Sequence, residues 1–145
     1  MDVRILVERL DPRAVLPVRA HPGDAGLDLR SIEERVLEPG ERGDVGTGLA
    51  LALPPGCVGL IHPRSGLALK HGITVANAPG TVDAAYRGEV RVILINLGTS
   101  AWRCTIGDRI AQLIISRIEN PIIDEVEGLP GSGRGHGGFG SSGLQ

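Results

Sequence analysis

The chain has 145 residues, 41% hydrophobic and 22% charged, which is the composition of one soluble globular domain. Its formal net charge of −2 leaves no basic footprint for duplex nucleic acid. No run approaches the roughly 18 apolar residues of a membrane span, and the opening MDVRILVERLDP is too short and too charged for a signal peptide, so a cytoplasmic setting is expected.

Aromatics make up only 2% of the chain, so its core must be built from Val, Ile, Leu and Ala. The 22 glycines and 10 prolines predict many turns and few long helices. Short apolar runs read as strands in chain order: RILVERL (4–10), TGLALALP (47–54), CVGLIHP (57–63), ITVAN (73–77), EVRVILINLG (89–98) and RIAQLIISRI (109–118). In the last, Ile110, Leu113 and Ile114 also fit a helical face. Its dense β-branched residues and its strand neighbours favour a strand. LALKH (67–71) invites one short helix, started near Ser65 and ended by Gly72. From Gly128 onward the composition collapses to glycine and serine, which predicts a flexible arm over 128–145 after a β domain over 1–127. Cys57 and Cys104 lack any CxxC spacing and read as buried free thiols. The expected architecture is all-β, a sandwich, jelly roll or barrel, with its edges covered by assembly.

Five segments do not read as core or as ordinary loop. In GDAGLDL (23–29), Asp24 and Asp28 stand four apart among glycines. They can orient the waters of a hard cation such as Mg²⁺, or simply form a turn. In HPRSGLALKHG (62–72), free backbone N–H groups, the Ser65 hydroxyl and the Arg64 guanidinium converge on one point. That makes an anion site or an ordinary Ser N-cap with a solvated Arg.

NAPGTVDAAYRGEVRV (77–92) looks like an apolar hairpin interrupted by Asp83 and by Tyr86, the only tyrosine. The carboxylate can serve as general base for a water beside a ring that packs a substrate, or both can be turn residues. In GDRIAQLI (107–114), Gln112 sits mid-strand among aliphatics and needs a partner, either structural or a ligand. The fifth segment, GRGHGGFGSSG (133–143), carries Arg134 and the only phenylalanine, Phe139, on a run with little else to bury. Its two GxGxxG matches lack the preceding strand, the following helix and the later acidic residue of a dinucleotide site.

Taken in order, from Gly23 to Gly143, these segments resemble the five motifs of the trimeric dUTP pyrophosphatases (dUTPases). The resemblance implies a jelly-roll-like distorted β-barrel that forms homotrimers with active sites at subunit interfaces. It implies Mg²⁺-dependent hydrolysis of dUTP to dUMP and pyrophosphate, which supplies the dTMP precursor and keeps uracil out of DNA. By matching position, Asp83 would activate the water that attacks the α-phosphorus, and Tyr86 would pack on the deoxyribose against a ribose 2′-OH. Asn77, Thr81 and Val82 would read the uracil edge. Arg64, Ser65, Gly66 and Gln112 would hold phosphates, and Arg91, at a position where the family often has a basic residue, would belong to the substrate-binding set. Asp28 would orient waters of a Mg²⁺ held mainly by the triphosphate. Arg134 would pair with the γ-phosphate and Phe139 would stack on uracil in another subunit's site, from an arm disordered without nucleotide. Ser142 stands where the family commonly has Thr and keeps the hydroxyl. A dCTP deaminase on a similar fold is the rival enzyme, and Tyr86 with the Phe-bearing tail argues against it. A nucleotide-sensing module that works by binding a protein partner is the rival from another class.

Overall fold

With almost no aromatic residues to fill it, the interior depends on aliphatic side chains set at every second position of strands. The computed structural model describes residues 2–144; Met1 and Gln145, the outermost residues of the predicted domain and arm, lie outside the described residues. Its strands are β1 (Leu6–Arg9), β2 (Leu27–Arg30), β3 (Arg35–Leu37), β4 (Arg42–Ala52), β5 (Cys57–His62), β6 (Ile73–Val75), β7 (Gly80–Val82), β8 (Glu89–Asn96), β9 (Trp102–Cys104) and β10 (Arg109–Arg117). One helix, α1 (Ser65–His71), lies between β5 and β6.

The strands form two four-stranded antiparallel sheets, ordered β1-β4-β8-β6 and β2-β10-β5-β7, and a small β3-β9 pair. This is the predicted all-β, jelly-roll-type architecture, with sheets that stay open at their edges rather than closing into a full barrel. β8 shows the pattern that builds it: Val90, Val92, Leu94 and Asn96 are buried while Arg91 and Ile93 face out. Val45, Leu49 and Leu51 of β4 join them from one sheet, and Leu29, Ile61 and Leu113 from the other. Each such side chain contributes about 1.5–3 kcal/mol when buried. Cys57 and Cys104 are buried and free, as expected. Burial pushes the Cys104 thiol above its ordinary range. Trp102 is also in the core, on β9 opposite Leu37.

Asn96 is the polar centre of this interior. It is fully buried, and its Nδ2 donates to Leu37 O and Ser100 O at 2.9 Å each. Its Oδ1 accepts from Gly98 N at 2.8 Å. One side chain thus ties the end of β8 to β3 and to the turn before β9.

Several expectations need correction. Four strands escaped the sequence reading: β2, β3 and β9, because Asp28, Arg35 and Arg103 interrupt their apolar runs, and β7, because it is a three-residue segment opened by a glycine. Segment 77–92 is not a hairpin, since β7 pairs with β5 in one sheet and β8 with β4 and β6 in the other. The stretch around Asp83 to Gly88 is therefore a crossing between sheets. Helix α1 starts at Ser65, but Arg64 holds the N-cap position and makes no side-chain cap. Ser65 is thus the first helical residue, not the cap. Gly72 ends the helix in the left-handed region at φ 68°, as glycine allows. Beyond Arg117 no strand or helix follows among the described residues, and Ile122, Ile123, Leu129 and Phe139 are exposed. No helix among the described residues is long and apolar enough to cross a membrane.

Candidate active site

The sequence-predicted residues gather in two clefts that share no lining residue. The larger, about 610 Å³, lies where the chain crosses between sheets and holds Asn77, Thr81, Val82, Asp83, Tyr86 and Arg91. The smaller, about 170 Å³, holds Asp24, Asp28, Arg64, Ser65, Gly66 and Gln112. Arg134 and Phe139 line neither cleft. Arg134 Nε donates to Gly137 O at 2.6 Å, within the arm's own turn.

The larger cleft is organised by one tight turn. Tyr86 N donates to Asp83 O at 3.0 Å, which sets the carboxylate and the phenol at the two ends of four residues. Arg87 Nη1 donates to Ala84 O at 2.7 Å and to Leu51 O at 3.4 Å, tying the turn to β4. The Tyr86 hydroxyl donates to Glu89 O at 3.0 Å. Asp83 is exposed to the cleft, so its carboxylate is open to water.

Arg91 stands behind this turn, and three carboxylates engage its guanidinium: Asp44 at 2.6 Å, Glu33 at 2.9 Å and Glu89 at 3.1 Å. The hydrogen bond from Arg91 and its charge hold the Asp44 carboxyl below the usual range. Glu33 Oε1 also accepts from Gly46 N at 2.9 Å, and Glu89 Oε2 from Gly48 N at 3.0 Å. These bonds fall where the β4–β8 register shifts between Gly46 and Ala50. Extra β4 residues there would leave backbone donors unpaired, and the two glutamates accept from them.

The smaller cleft lies where β2, β10 and the β5–α1 corner meet. Gln112 stands opposite Asp28 on one side and His62 on the other, so the three point to one face. Its Nε2 donates to Pro63 O at 3.4 Å, a long bond. Asp28 lies 3.6 Å from Arg109 Nη1, and Arg64 Nη1 donates to Arg109 O at 3.2 Å. Asp24 Oδ2 accepts from His21 N at 3.0 Å, the turn-forming role that was its alternative. Because no side chain caps α1, the N–H groups of its first turn remain available beside Ser65 and Gly66. A guanidinium, a hydroxyl, an amide and free N–H groups at one place suit an anion.

The sequence reading did not single out Arg109, Glu89, Gly26 or Gly88. Arg109 lies inside the quoted GDRIAQLI, and its charge at the head of a strand was the signal available. Among the described residues no group of three or more His, Cys, Asp or Glu could hold a metal on its own. Asp24 and Asp28 are hard oxygen donors on the anion cleft, and they fit a hydrated Mg²⁺ whose other ligands are phosphates.

The family model described as dUTPase matches residues 13–143. The deoxyuridine 5′-triphosphate nucleotidohydrolase of Rhodococcus erythropolis is 59% identical over 140 residues, covering 96% of this chain and 85% of the relative. Among solved structures, a mutant Staphylococcus bacteriophage 80alpha dUTPase with dUpNHpp has a TM-score of 0.91 at 32% identity, covering 97% of this chain and 99% of that one. A mutant dUTPase from phage phi11 of S. aureus, described for its coordination of a structural Mg(II) ion, has a TM-score of 0.82 at 28% identity, covering 88% and 99%.

Proposed function

The chain belongs to the dUTPase family and hydrolyses dUTP, and on that premise we infer that its larger cleft takes the deoxyuridine and its smaller cleft the triphosphate. The observation that carries this reading is the partition itself. Asn77, Thr81, Val82 and Tyr86, the body's candidates for base and sugar, lie in one cleft, and Arg64, Ser65, Gly66, Gln112 and Asp28 lie in the other. Because the clefts share no residue, a complete site is read as two half-sites from different copies, in a homotrimer with sites at subunit interfaces.

In this reading Asn77 and the backbone at Thr81 and Val82 hydrogen-bond the uracil edge, and Tyr86 packs against the deoxyribose. Arg91, its guanidinium engaged by three carboxylates, forms part of the cleft wall. Arg64, Ser65, Gly66 and Gln112 bind the phosphate oxygens. The Asp83 carboxylate accepts a proton from a water as that water's oxygen bonds the α-phosphorus. The bond from the α-phosphorus to the bridging oxygen breaks, and pyrophosphate leaves in line. Mg²⁺, held by the triphosphate with Asp28 orienting its waters, supplies neutralisation of phosphate charge. The relative described with a structural Mg(II) ion supports the choice of metal.

The arm completes the site in another copy, with Arg134 on the γ-phosphate and Phe139 stacked on uracil. Fixing a backbone residue costs about 1–2 kcal/mol and stacking returns roughly 1–3 kcal/mol per base. The balance is close, so nucleotide decides whether the arm is ordered. Two free thiols and Mg²⁺–nucleotide chemistry suit the cytoplasm.

The test is pyrophosphate release from dUTP with Mg²⁺, beside dTTP, dCTP and UTP, for the full chain and for one ending at Gly133. Strong preference for dUTP that collapses on truncation is expected. Activity that survives truncation removes the arm from the mechanism, and ammonia release from dCTP would replace the reaction.

A further inference from the structure

We propose that Gly88 sets the sugar specificity of the site, by leaving the space in which the Tyr86 ring lies. The inference rests on the reading of Tyr86 as the surface that packs the deoxyribose.

A β-carbon built on Gly88 falls 2.6 Å from Tyr86 Cζ and 3.0 Å from Cε2, and closer still to the hydroxyl oxygen. Non-bonded carbons rest about 3.5–4.0 Å apart, so a side chain at 88 and the present ring position exclude each other. Conformation does not demand this glycine, because its φ lies outside the left-handed region. Alanine fits the backbone here, and the ring is what forbids it.

The ring arches over Gly88 and docks on the far side, where its hydroxyl donates to Glu89 O at 3.0 Å. Upstream, its backbone N–H is bonded to Asp83 O at 3.0 Å, and Arg87 ties the same turn to β4. The backbone is thus fixed from one end and the phenol from the other, with Gly88 as the bare surface between. Tyr86 is 47% exposed, so a displaced ring swings into solvent without opening the core. A flat ring held against the sugar leaves no space for a 2′-hydroxyl. Moved away, it admits the ribonucleotide and loosens its grip on the deoxyribonucleotide. Gly88 touches no reacting atom and is a positioning residue.

The experiment compares kcat and KM for dUTP and UTP in the wild type, Gly88→Ala, Tyr86→Ala and the double variant, with thermal midpoints by calorimetry. Gly88→Ala is expected to lose roughly tenfold or more of the dUTP-over-UTP ratio in kcat/KM. For dUTP the change falls on KM more than on kcat, while kcat/KM for UTP rises and the thermal midpoint stays at the wild-type value. The double variant is expected to match Tyr86→Ala alone in both ratio and midpoint. A wild-type ratio in Gly88→Ala, where Tyr86→Ala has lost it, overturns the role of Gly88 and leaves that of Tyr86 standing. A wild-type ratio in Tyr86→Ala removes the premise about the sugar and the proposal with it. Should Gly88→Ala fail to fold, removing the ring is expected to restore folding, and a double variant that also fails to fold overturns the proposal.

Discussion

Gly26 of the β1–β2 connection lies directly beneath Gln112 of β10, and a β-carbon on Gly26 would fall 3.1 Å from Gln112 Cδ and 3.2 Å from its Cβ. The amide reaches the anion cleft across a glycine because any other residue would stand in its path. Gly26→Ala is expected to push Gln112 out of the cleft. A hydrogen bond to a charged group is worth about 1.5–3 kcal/mol, so KM for dUTP should rise roughly tenfold or more. Steady-state kinetics beside Gln112→Ala checks it, since the two variants should behave alike.

Asp83 faces the larger cleft at one end of the turn that Tyr86 closes. Asp83→Asn keeps the shape and removes the base. Turnover should fall by about 10²–10⁴-fold, while affinity for the non-hydrolysable dUpNHpp, measured by calorimetry, stays near the wild-type value. Equal loss of turnover and affinity would mark Asp83 as a structural turn residue instead.

Phe139 is fully exposed on its own chain, and it has no core contact to lose. Phe139→Ala should therefore leave the thermal midpoint unchanged. It should weaken dUpNHpp binding by roughly 1–3 kcal/mol, the worth of one base stacked on an aromatic ring. A drop in thermal stability of the free protein would show that the ring packs on the body without nucleotide.

Asn96 is itself fully buried and makes three hydrogen bonds, a buried one to Leu37 O and two half-buried ones to Ser100 O and from Gly98 N. Asn96→Ala leaves the buried Leu37 carbonyl without this partner, at about 1–3 kcal/mol, and removes two half-buried bonds worth about 0.5–1.5 kcal/mol each. The loss should total about 3 kcal/mol or more, read from urea denaturation followed by circular dichroism.

Asp44 has its carboxyl held below 3.8 by Arg91. A depressed acid contributes stability that is complete above the unfolded value and is lost as pH falls through the folded one. Wild-type stability should therefore decline on acidification below about pH 4 more steeply than that of Asp44→Asn. Acid titration of the thermal midpoints compares them, and parallel curves would sever the link between Asp44 and acid stability.

The long strands were legible because each carries enough inward aliphatic residues to declare its period, as in Val90, Val92 and Leu94. Three-residue strands such as Arg35–Leu37 and Trp102–Cys104 hold too few residues to show one. The five motifs were legible as local patterns of glycine, charge and hydroxyl. The sorting of four of them into two clefts was not, because the smaller cleft joins β2, β10 and the β5–α1 corner, which lie far apart in sequence. Arg91 shows the same limit. Its basic character is plain in the sequence, but its partners Asp44 and Glu33 stand 47 and 58 positions away. Such pairings depend on register, which no local window contains.

The burial of Trp102 within an almost wholly aliphatic core has an optical consequence. The chain has one tryptophan, one tyrosine and one phenylalanine, and they fall in separate places: the core, the larger cleft and the arm. Indole emission therefore reports the integrity of the β3–β9 layer, with no second tryptophan to confuse it. It should stay silent when nucleotide binds and shift to the red when the body unfolds. A single fluorescence trace then follows unfolding even with substrate present.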